Sequence, residues 1–251
     1  MKNKKLITIT LIVIIIIAGA IIYLNRSYAY IYSKFELTQA PVKIDYMTSK
    51  TLSEKSQLLT YVAIGDSLTA GVGATSIQSS LPALLAEKIS AENGLMVKVK
   101  NLGVPGATSF DILTGQVLDA SELNPQIITL FIGTNDMHNF VSLEKFKSNL
   151  LTAIGALQRT TKAEIYLVNL PYLGASDLVL PPYNLYFEMK LKKYNSAIAQ
   201  VASETGVILI DLYSASDKVL RSDSKLYCAD RFHPSDFGYA LWADAIAGYF
   251  K

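Results

Sequence analysis

Short apolar runs alternate with segments of helical periodicity over most of the chain. Five of the runs are strand-like, because each is short and mostly apolar on both faces, as in a parallel sheet covered by helices. These predicted strands are Tyr61–Ile64, Met96–Val99, Ile127–Ile132, Ile165–Leu170 and Val207–Leu212.

Apolar residues recur at helical spacing between and after these strands. Three such sets are Phe146, Leu150, Ile154 and Leu157; then Tyr194, Ile198, Val201 and Ala202; and finally Phe237, Leu241, Ala245 and Tyr249. Gly206 follows the second set, where a helix end is expected. Strands that alternate with helices predict an α/β fold: a three-layer α/β/α, doubly wound domain with a mainly parallel five-stranded sheet.

The N-terminus differs from this pattern. An uncharged, isoleucine-rich run from Leu6 to Leu24 follows Lys2, Lys4 and Lys5. The run is long enough to cross a hydrocarbon core of about 30 Å, and lysines before it favour a cytoplasmic N-terminus. A cleaved signal peptide is the alternative, with Ala18-Gly19-Ala20 or Ser27-Tyr28-Ala29 as cleavage site. Since the apolar run continues past Ala20, we favour an uncleaved anchor.

These features divide the chain into three parts. Residues 1–24 form a cytoplasmic tip and a transmembrane anchor, residues 25–57 a stem, and residues 58–251 the main domain. The domain is expected on the extracytoplasmic side of a single-pass membrane protein. Aromatic residues cluster around the start of the stem, where they settle at the membrane interface or pack on the domain: Tyr23, Tyr28, Tyr30, Tyr32 and Phe35.

Composition narrows the functional classes. Hydrophobic residues make up 51% of the chain and charged residues 18%, so it is not disordered. The net charge of +2 is too small to indicate nucleic acid as a partner. Cys228 is the only cysteine, which rules out an internal disulfide and a cysteine-based zinc site. We interpret Cys228 as a small buried residue.

Polar and glycine-rich motifs stand where the chemistry of such a fold is expected, at the carboxyl ends of the strands. Gly65-Asp66-Ser67-Leu68 follows the first strand, Asn101 to Ser109 the second, and Gly133-Thr134-Asn135-Asp136 the third. Asp230-Arg231-Phe232-His233-Pro234 precedes the last helix. Together and in this order, the four motifs resemble those of the SGNH (GDSL-type) hydrolases, which are esterases, lipases and thioesterases. The resemblance covers roughly residues 60–250.

The residue types suit nucleophilic catalysis. A serine hydroxyl needs a base to remove its proton. Asp230 stands three residues before His233, close enough to orient its imidazole and stabilise the charged form. We therefore expect Ser67 as nucleophile, His233 as base and Asp230 as its orienting partner. His138, the only other histidine, follows the Asn135 loop; we interpret it as a surface or packing residue, with a place in the pocket lining as the alternative.

The resemblance also implies an oxyanion hole. Its donors would be the backbone N–H groups of Ser67 and Gly106 and the side-chain amide of Asn135. Gly106 is preferred over Gly103 because the family's glycine lies five residues after the asparagine of its second motif, here Asn101. Gly103 is then a turn residue.

A membrane-anchored serine ester hydrolase acting on small acyl esters is the expected function. Glycan O-acetyl groups and lysophospholipids are the substrates that the resemblance suggests, and no cofactor or metal is implied. An aromatic segment from Pro171 to Phe187 leaves the fourth strand and is a candidate pocket wall for an acyl chain or a sugar. The alternatives are an O-acyltransferase on the same site, or a non-catalytic glycan-binding module.

Overall fold

The computed structural model describes residues 2–35, 45–48, 57–173, 178, 181, 183–220 and 224–250. Its strands are β1 (Tyr46–Met47), β2 (Leu58–Gly65), β3 (Met96–Asn101), β4 (Ile127–Phe131), β5 (Glu164–Val168) and β6 (Ile208–Ile210). Its helices are α1 (Lys2–Phe35), α2 (Ser67–Ala70), α3 (Leu81–Asn93), α4 (Asp111–Thr114), α5 (Gln116–Glu122), α6 (Thr134–His138), α7 (Leu143–Thr160), α8 (Tyr183–Thr205), α9 (Leu212–Leu220) and α10 (Asp236–Ile246).

The six strands form one sheet in the order β1-β3-β2-β4-β5-β6. Strands β2 to β6 pair in parallel, which confirms the predicted mainly parallel sheet and the α/β fold. The five-strand count was wrong by one, because β1 pairs antiparallel with β3 at the edge. A two-residue strand has too few positions to show an alternation that a sequence pattern could reveal.

The order of the strands explains why helices cover both faces. From β2 the chain moves to β3 on one side and then returns past β2 to β4, β5 and β6. Because such crossovers are right-handed, the two directions place their helices on opposite faces. Accordingly α3 packs with α10, while α7 lies between α5 and α8. The direction changes at β2, so the carboxyl end of β2 is the expected place for a site.

Several element boundaries differ from the sequence-based expectation, and two of them have consequences for the fold. The last predicted strand, Val207–Leu212, ends at Ile210, and Leu212 already begins α9. Here Asp211 Oδ1 accepts the backbone N–H of Ser214 at 3.0 Å, so the aspartate caps the helix and ends the strand. Helix α1 continues past the predicted anchor end at Leu24 to Phe35.

Helix α1 contains a segment, Lys4–Ser27, that is long and apolar enough to cross a membrane. Its side chains are exposed, with Leu24 and Ser27 half-buried among those described. A membrane anchor and a signal sequence both have this character. Residues 36–44 and 49–56 of the predicted stem lie outside the described residues, so its boundaries stay a prediction.

Candidate active site

Ser67 stands immediately after the central strand, as the first residue of α2. Helix α2 is capped by Asp66 rather than by the serine, since Asp66 Oδ1 accepts the N–H of Leu68 at 3.0 Å. The Ser67 hydroxyl is therefore not used as a helix cap. Gln116 fixes the end of β2. Its Oε1 accepts the N–H of Gly65 at 2.8 Å, and its Nε2 donates to the Gly65 carbonyl at 2.9 Å. These bonds on either side of the strand end fix the position of the serine.

The structure brings the three predicted triad residues together. His233 Nε2 lies 2.9 Å from Ser67 Oγ, although the two residues are 166 positions apart. On the other side of the ring, His233 Nδ1 lies 2.6 Å from Asp230 Oδ2. A carboxylate can only accept a hydrogen bond, so His233 Nδ1 must carry a proton and donate it to Asp230. Nε2 of the neutral ring is then the acceptor for the hydroxyl proton of Ser67.

Asp230 is buried and well supplied with donors. Its Oδ1 accepts the backbone N–H groups of Phe232 and His233, at 2.8 and 2.9 Å, and the Sγ–H of Cys228 at 3.1 Å. Burial alone raises the pKa of Asp230, but the hydrogen bond and charge of His233 and these further donors outweigh it, so the pKa falls well below its usual range. The carboxylate is therefore ionised where it contacts the imidazole.

The loop after Ser67 and the loop around His233 are packed against each other without room for a side chain. Gly73 has φ +92°, and a Cβ there would lie 2.4 Å from the Pro234 carbonyl oxygen. Nearby, Thr75 donates from its backbone N–H and its hydroxyl to the two carboxylate oxygens of Asp236, at 2.8 and 2.5 Å. This contact holds the serine and the histidine at hydrogen-bonding distance.

The second motif is attached to the serine loop through Asn101. Its Nδ2 donates to the Thr69 carbonyl at 2.8 Å, and its Oδ1 accepts the N–H of Gly103 at 2.9 Å. A Cβ on Gly103 would lie 2.4 Å from the backbone nitrogen of Ala70, so this glycine permits close approach of the two loops. Gly106 is different: a Cβ there would have no atom within 4 Å, but its φ of +84° favours glycine.

Asn135 joins the third motif to the second. It lies in α6, directly after β4, and its Nδ2 donates to the Ala107 carbonyl at 2.9 Å. An amide nitrogen has two hydrogens, so this bond leaves one N–H for another acceptor. The predicted donors Gly106 and Asn135 thus lie on loops that are directly bonded to each other.

A buried polar network fixes these two loops. Asp136 accepts the N–H and the hydroxyl of Ser109, at 2.8 and 2.5 Å, and Asn149 Nδ2 donates to the same hydroxyl at 2.9 Å. All three side chains are buried. The network was not predicted as such, since Asn149 lies inside a helix whose apolar positions gave the only periodic signal.

Asp66, next to Ser67 in the chain, is buried, and its Oδ2 has no hydrogen-bond partner among the residues that the structure describes. Burial raises the pKa of Asp66, the N–H of Leu68 lowers it and the charge of Asp136 raises it, with a net pKa of about 7. A protonated Asp66 is the form that a dry environment favours.

His138 lies on the wall beside His233 rather than on the open surface. Its ring centroid is 5.5 Å from that of Phe187 and 5.6 Å from that of Phe232. Burial, together with the charges of Lys190 and His233, lowers the pKa of His138 to about 4. The expected packing role is consistent with this position, and the residue is neutral near pH 7.

A hollow of about 450 Å³ borders the second motif, and Val104, Gly106, Ala107 and Gln116 are among its lining residues. Neither Ser67 nor His233 lines it, so the hollow does not contain the triad. Within the described part of the chain, no group of three His, Cys, Asp or Glu side chains is arranged to hold a metal ion.

Known proteins that are similar to this chain are GDSL-like hydrolases and esterases. The sequence profile of the GDSL-like Lipase/Acylhydrolase family matches residues 63–241. The chain is 26% identical to a GDSL-like esterase of Mycobacterium tuberculosis over 188 residues, which cover 72% of this chain and 58% of that protein. It is also 26% identical to an acetylxylan esterase of Geobacillus stearothermophilus over 201 residues, or 73% of this chain and 90% of that protein.

Solved structures with the same fold include an α/β hydrolase from the metagenome of Lake Arreo, at a TM-score of 0.64 and 22% identity. The match covers 78% of this chain and 98% of the hydrolase. A lipase/acylhydrolase from Enterococcus faecalis matches at a TM-score of 0.62 and 25% identity, over 76% of this chain and 94% of that one.

Proposed function

The chain belongs to the GDSL-like Lipase/Acylhydrolase family, and on this premise we propose that it cleaves small acyl esters with Ser67 as the nucleophile. Esterase activity itself follows from the family and from relatives that are esterases. The observation that carries the residue assignment is the continuous chain from Ser67 Oγ to His233 Nε2 and from His233 Nδ1 to Asp230 Oδ2, at 2.9 and 2.6 Å.

In the proposed mechanism, Ser67 Oγ attacks the ester carbonyl while its proton moves to His233 Nε2. The resulting imidazolium is stabilised by ionised Asp230. His233 then gives the proton to the departing alcohol, and the C–O bond breaks to leave an acyl group on Ser67. Water repeats the sequence: it gives a proton to His233, attacks the acyl-enzyme and releases the acid, and Ser67 takes its proton back.

The tetrahedral intermediates carry a negative oxygen that needs fixed donors. We assign these donors to the backbone N–H groups of Ser67 and Gly106 and to one side-chain N–H of Asn135. The bond from Asn135 to the Ala107 carbonyl supports this assignment, because it holds the amide against the loop that carries Gly106. A donor that is held in place before the reaction needs no reorganisation during it.

The proposed location is a membrane, with α1 as the anchor and the main domain outside. The apolar segment Lys4–Ser27 and the lysines that precede the apolar run support this topology. For the substrate, we retain the two classes that the resemblance suggests. The acetylxylan esterase relative supports an acetylated glycan, and an anchor in a membrane is compatible with a lysophospholipid.

The assignment is tested with p-nitrophenyl acetate and a fluorophosphonate probe, which reacts with activated serines. We expect turnover and covalent labelling in the unmodified chain, and neither in Ser67→Ala. Ser90→Ala is the matched control, because Ser90 is also buried but bonds the Leu95 carbonyl, away from the motifs. Wild-type turnover in Ser67→Ala would overturn the assignment of the nucleophile.

A further inference from the structure

The outer end of α1 touches the segment that opens α8. The hydroxyl of Tyr23 donates to the Pro181 carbonyl at 2.9 Å, and the hydroxyl of Tyr183 lies 3.5 Å from the Leu24 carbonyl. The half-buried residues of α1, Leu24 and Ser27, are three positions apart and so share a face of that helix. The apolar segment Lys4–Ser27 ends at this contact.

This contact sets the height of α8 relative to a membrane. If α1 spans the bilayer, Tyr23 lies near the outer end of the spanning segment. This is the membrane–water interface, where tyrosine rings are enriched. Pro181 and Tyr183 are bonded to this end, so the start of α8 lies at the same boundary. At about 1.5 Å per residue, the first two turns of α8 remain within roughly 10 Å of Tyr183.

Those two turns carry exposed apolar side chains. Leu185 is 65% exposed, Met189 51% and Tyr186 39%. Phe140, which is 68% exposed, lies beside them, since the Lys190 ammonium is over the rings of both Phe140 and Tyr186, at 3.9 and 5.3 Å. We call the surface formed by Phe140, Leu185, Tyr186 and Met189 the α8 patch. Exposed apolar residues that group in this way mark a contact surface.

Phe140 gives a second indication that the patch has a use. Its φ is +57°, in the left-handed region that aromatic residues rarely adopt. Left-handed backbone is costly for a residue with a Cβ, and such strain is concentrated at functional positions. Here the strained backbone holds a large apolar ring in the open, beside the ammonium of Lys190.

A row of rings leads from the patch to the catalytic histidine. Tyr186 and Phe187 have ring centroids 5.9 Å apart, and Phe187 contacts His138 at 5.5 Å. From there, Phe232 lies 5.6 Å from His138 and 5.0 Å from His233. His138 is neutral near pH 7, so the ring in the middle of this row adds no full charge to the wall.

We propose that the α8 patch lies in the interface of the membrane that α1 crosses, and that Ser67 takes its ester from an amphiphile in that membrane. The inference rests on the proposed function, because it concerns the substrate of the same site. It favours a lipid-like ester over a soluble glycan. An acyl chain that leaves the membrane along the aromatic wall would reach the triad without crossing bulk water.

Two esters with the same leaving group test the substrate class. The full chain is reconstituted in phosphatidylcholine–phosphatidylglycerol vesicles and assayed with p-nitrophenyl acetate, which is soluble, and p-nitrophenyl decanoate, which enters the bilayer. The variant Leu185→Ser/Met189→Ser is compared with Leu118→Ser, an equally exposed leucine on α5, from which α7 separates α8. We expect kcat/KM for the decanoate to fall about tenfold in the double variant, or about 1.4 kcal/mol, with acetate turnover unchanged.

A second measurement tests membrane contact without activity. Leu185→Trp and Leu118→Trp are placed in vesicles that contain brominated lipid, with buried Trp242 as a common background. Quenching of Leu185→Trp above Leu118→Trp supports the proposal, and equal quenching overturns it. Equal loss on both esters in the double variant also overturns it, since the patch would then affect the chemistry. Failure of the proposed nucleophile shows up separately, as turnover that survives in Ser67→Ala.

Discussion

The side-chain amide of Asn135 donates to the backbone carbonyl of Ala107 across 2.9 Å. This bond joins the loop after β4 to the loop after β3, one residue from Gly106. The amide is thereby oriented before any substrate binds, and the orientation does not depend on the substrate. Asn135 is therefore expected to act on the transition state and not on the bound ester.

Asn135→Ala should lower kcat roughly 10²–10³-fold, because it removes one proposed oxyanion donor and leaves the proposed nucleophile and base in place. KM for p-nitrophenyl acetate should change little. The thermal midpoint should remain within a few degrees, since the side chain is half-buried and makes one bond to the backbone. An increase in KM with kcat intact would show that Asn135 binds the ground state instead.

Asp230→Asn should lower kcat by about 10⁴-fold. The amide places an N–H opposite His233 Nδ1, so the ring proton moves to Nε2 and the ring no longer accepts the proton of Ser67. Asp244→Asn, at an exposed acid paired with Lys88, serves as the control and should keep full activity. A loss of less than tenfold in Asp230→Asn would contradict the orienting role.

Asp66→Asn should change how stability depends on pH. The pKa of Asp66 is about 7 in the folded chain and near 4 in the unfolded one, so between these values only the folded state holds the proton. Stability therefore falls as the pH rises through this window, by up to about 4 kcal/mol above it. The asparagine does not titrate and so does not lose this stability. The free energy of unfolding of Asp66→Asn, relative to that of the unmodified chain, should therefore increase with pH.

This difference is measured by urea unfolding in detergent at about pH 4.5 and about pH 8, since other carboxylates cancel in the comparison of the two proteins. A gain for Asp66→Asn that is the same at both pH values would mean that Asp66 is ionised in the folded chain.

His138→Phe should have the opposite pH signature. The pKa of His138 is lowered to about 4, so between this value and about 6.5 the unfolded chain binds a proton that the folded chain does not. Stability then falls as the pH drops through the window, by up to about 3 kcal/mol. Phenylalanine keeps the ring contacts without the titration, so its advantage should appear below about pH 6.5. Equal stability of both proteins at about pH 4.5 would contradict the burial of a neutral ring.

The anchor topology is tested on intact cells. Added protease should release the main domain and leave α1 in the membrane, because the lysines before the apolar run favour a cytoplasmic N-terminus. A domain that is protected until the cells are lysed would contradict the external placement. Release without added protease would indicate instead that the N-terminal segment is a cleaved signal peptide.

Much of the site could be predicted because parallel strands end at one edge of a sheet. The apolar runs located the strand ends, and the motifs that follow them supplied Ser67, Gly106 and Asn135 as candidates. The pairing of Asp230 with His233 needed only their spacing of three residues. Only the structure shows that His233 lies within hydrogen-bonding distance of a serine 166 positions away in the chain.

The supporting residues were not predictable in the same way. Gln116 bonds both backbone groups of Gly65, yet a glutamine in a short helix has the same sequence signature as an exposed polar residue. Cys228 donates to Asp230 through a loop conformation that has no periodicity. Strand β1 was missed because its two residues are too few to show an alternation of apolar and polar positions.

The short strands at the two edges of the sheet affect how copies of the protein can contact each other. Among the described residues, strand β1 has two residues and strand β6 has three, so the described part of each edge offers only a short row of backbone groups to another copy. A protein held by one helix in a bilayer diffuses in two dimensions, where neighbours collide at a raised effective concentration. If α1 anchors the protein as proposed, these short edges limit strand-to-strand pairing between copies in one membrane.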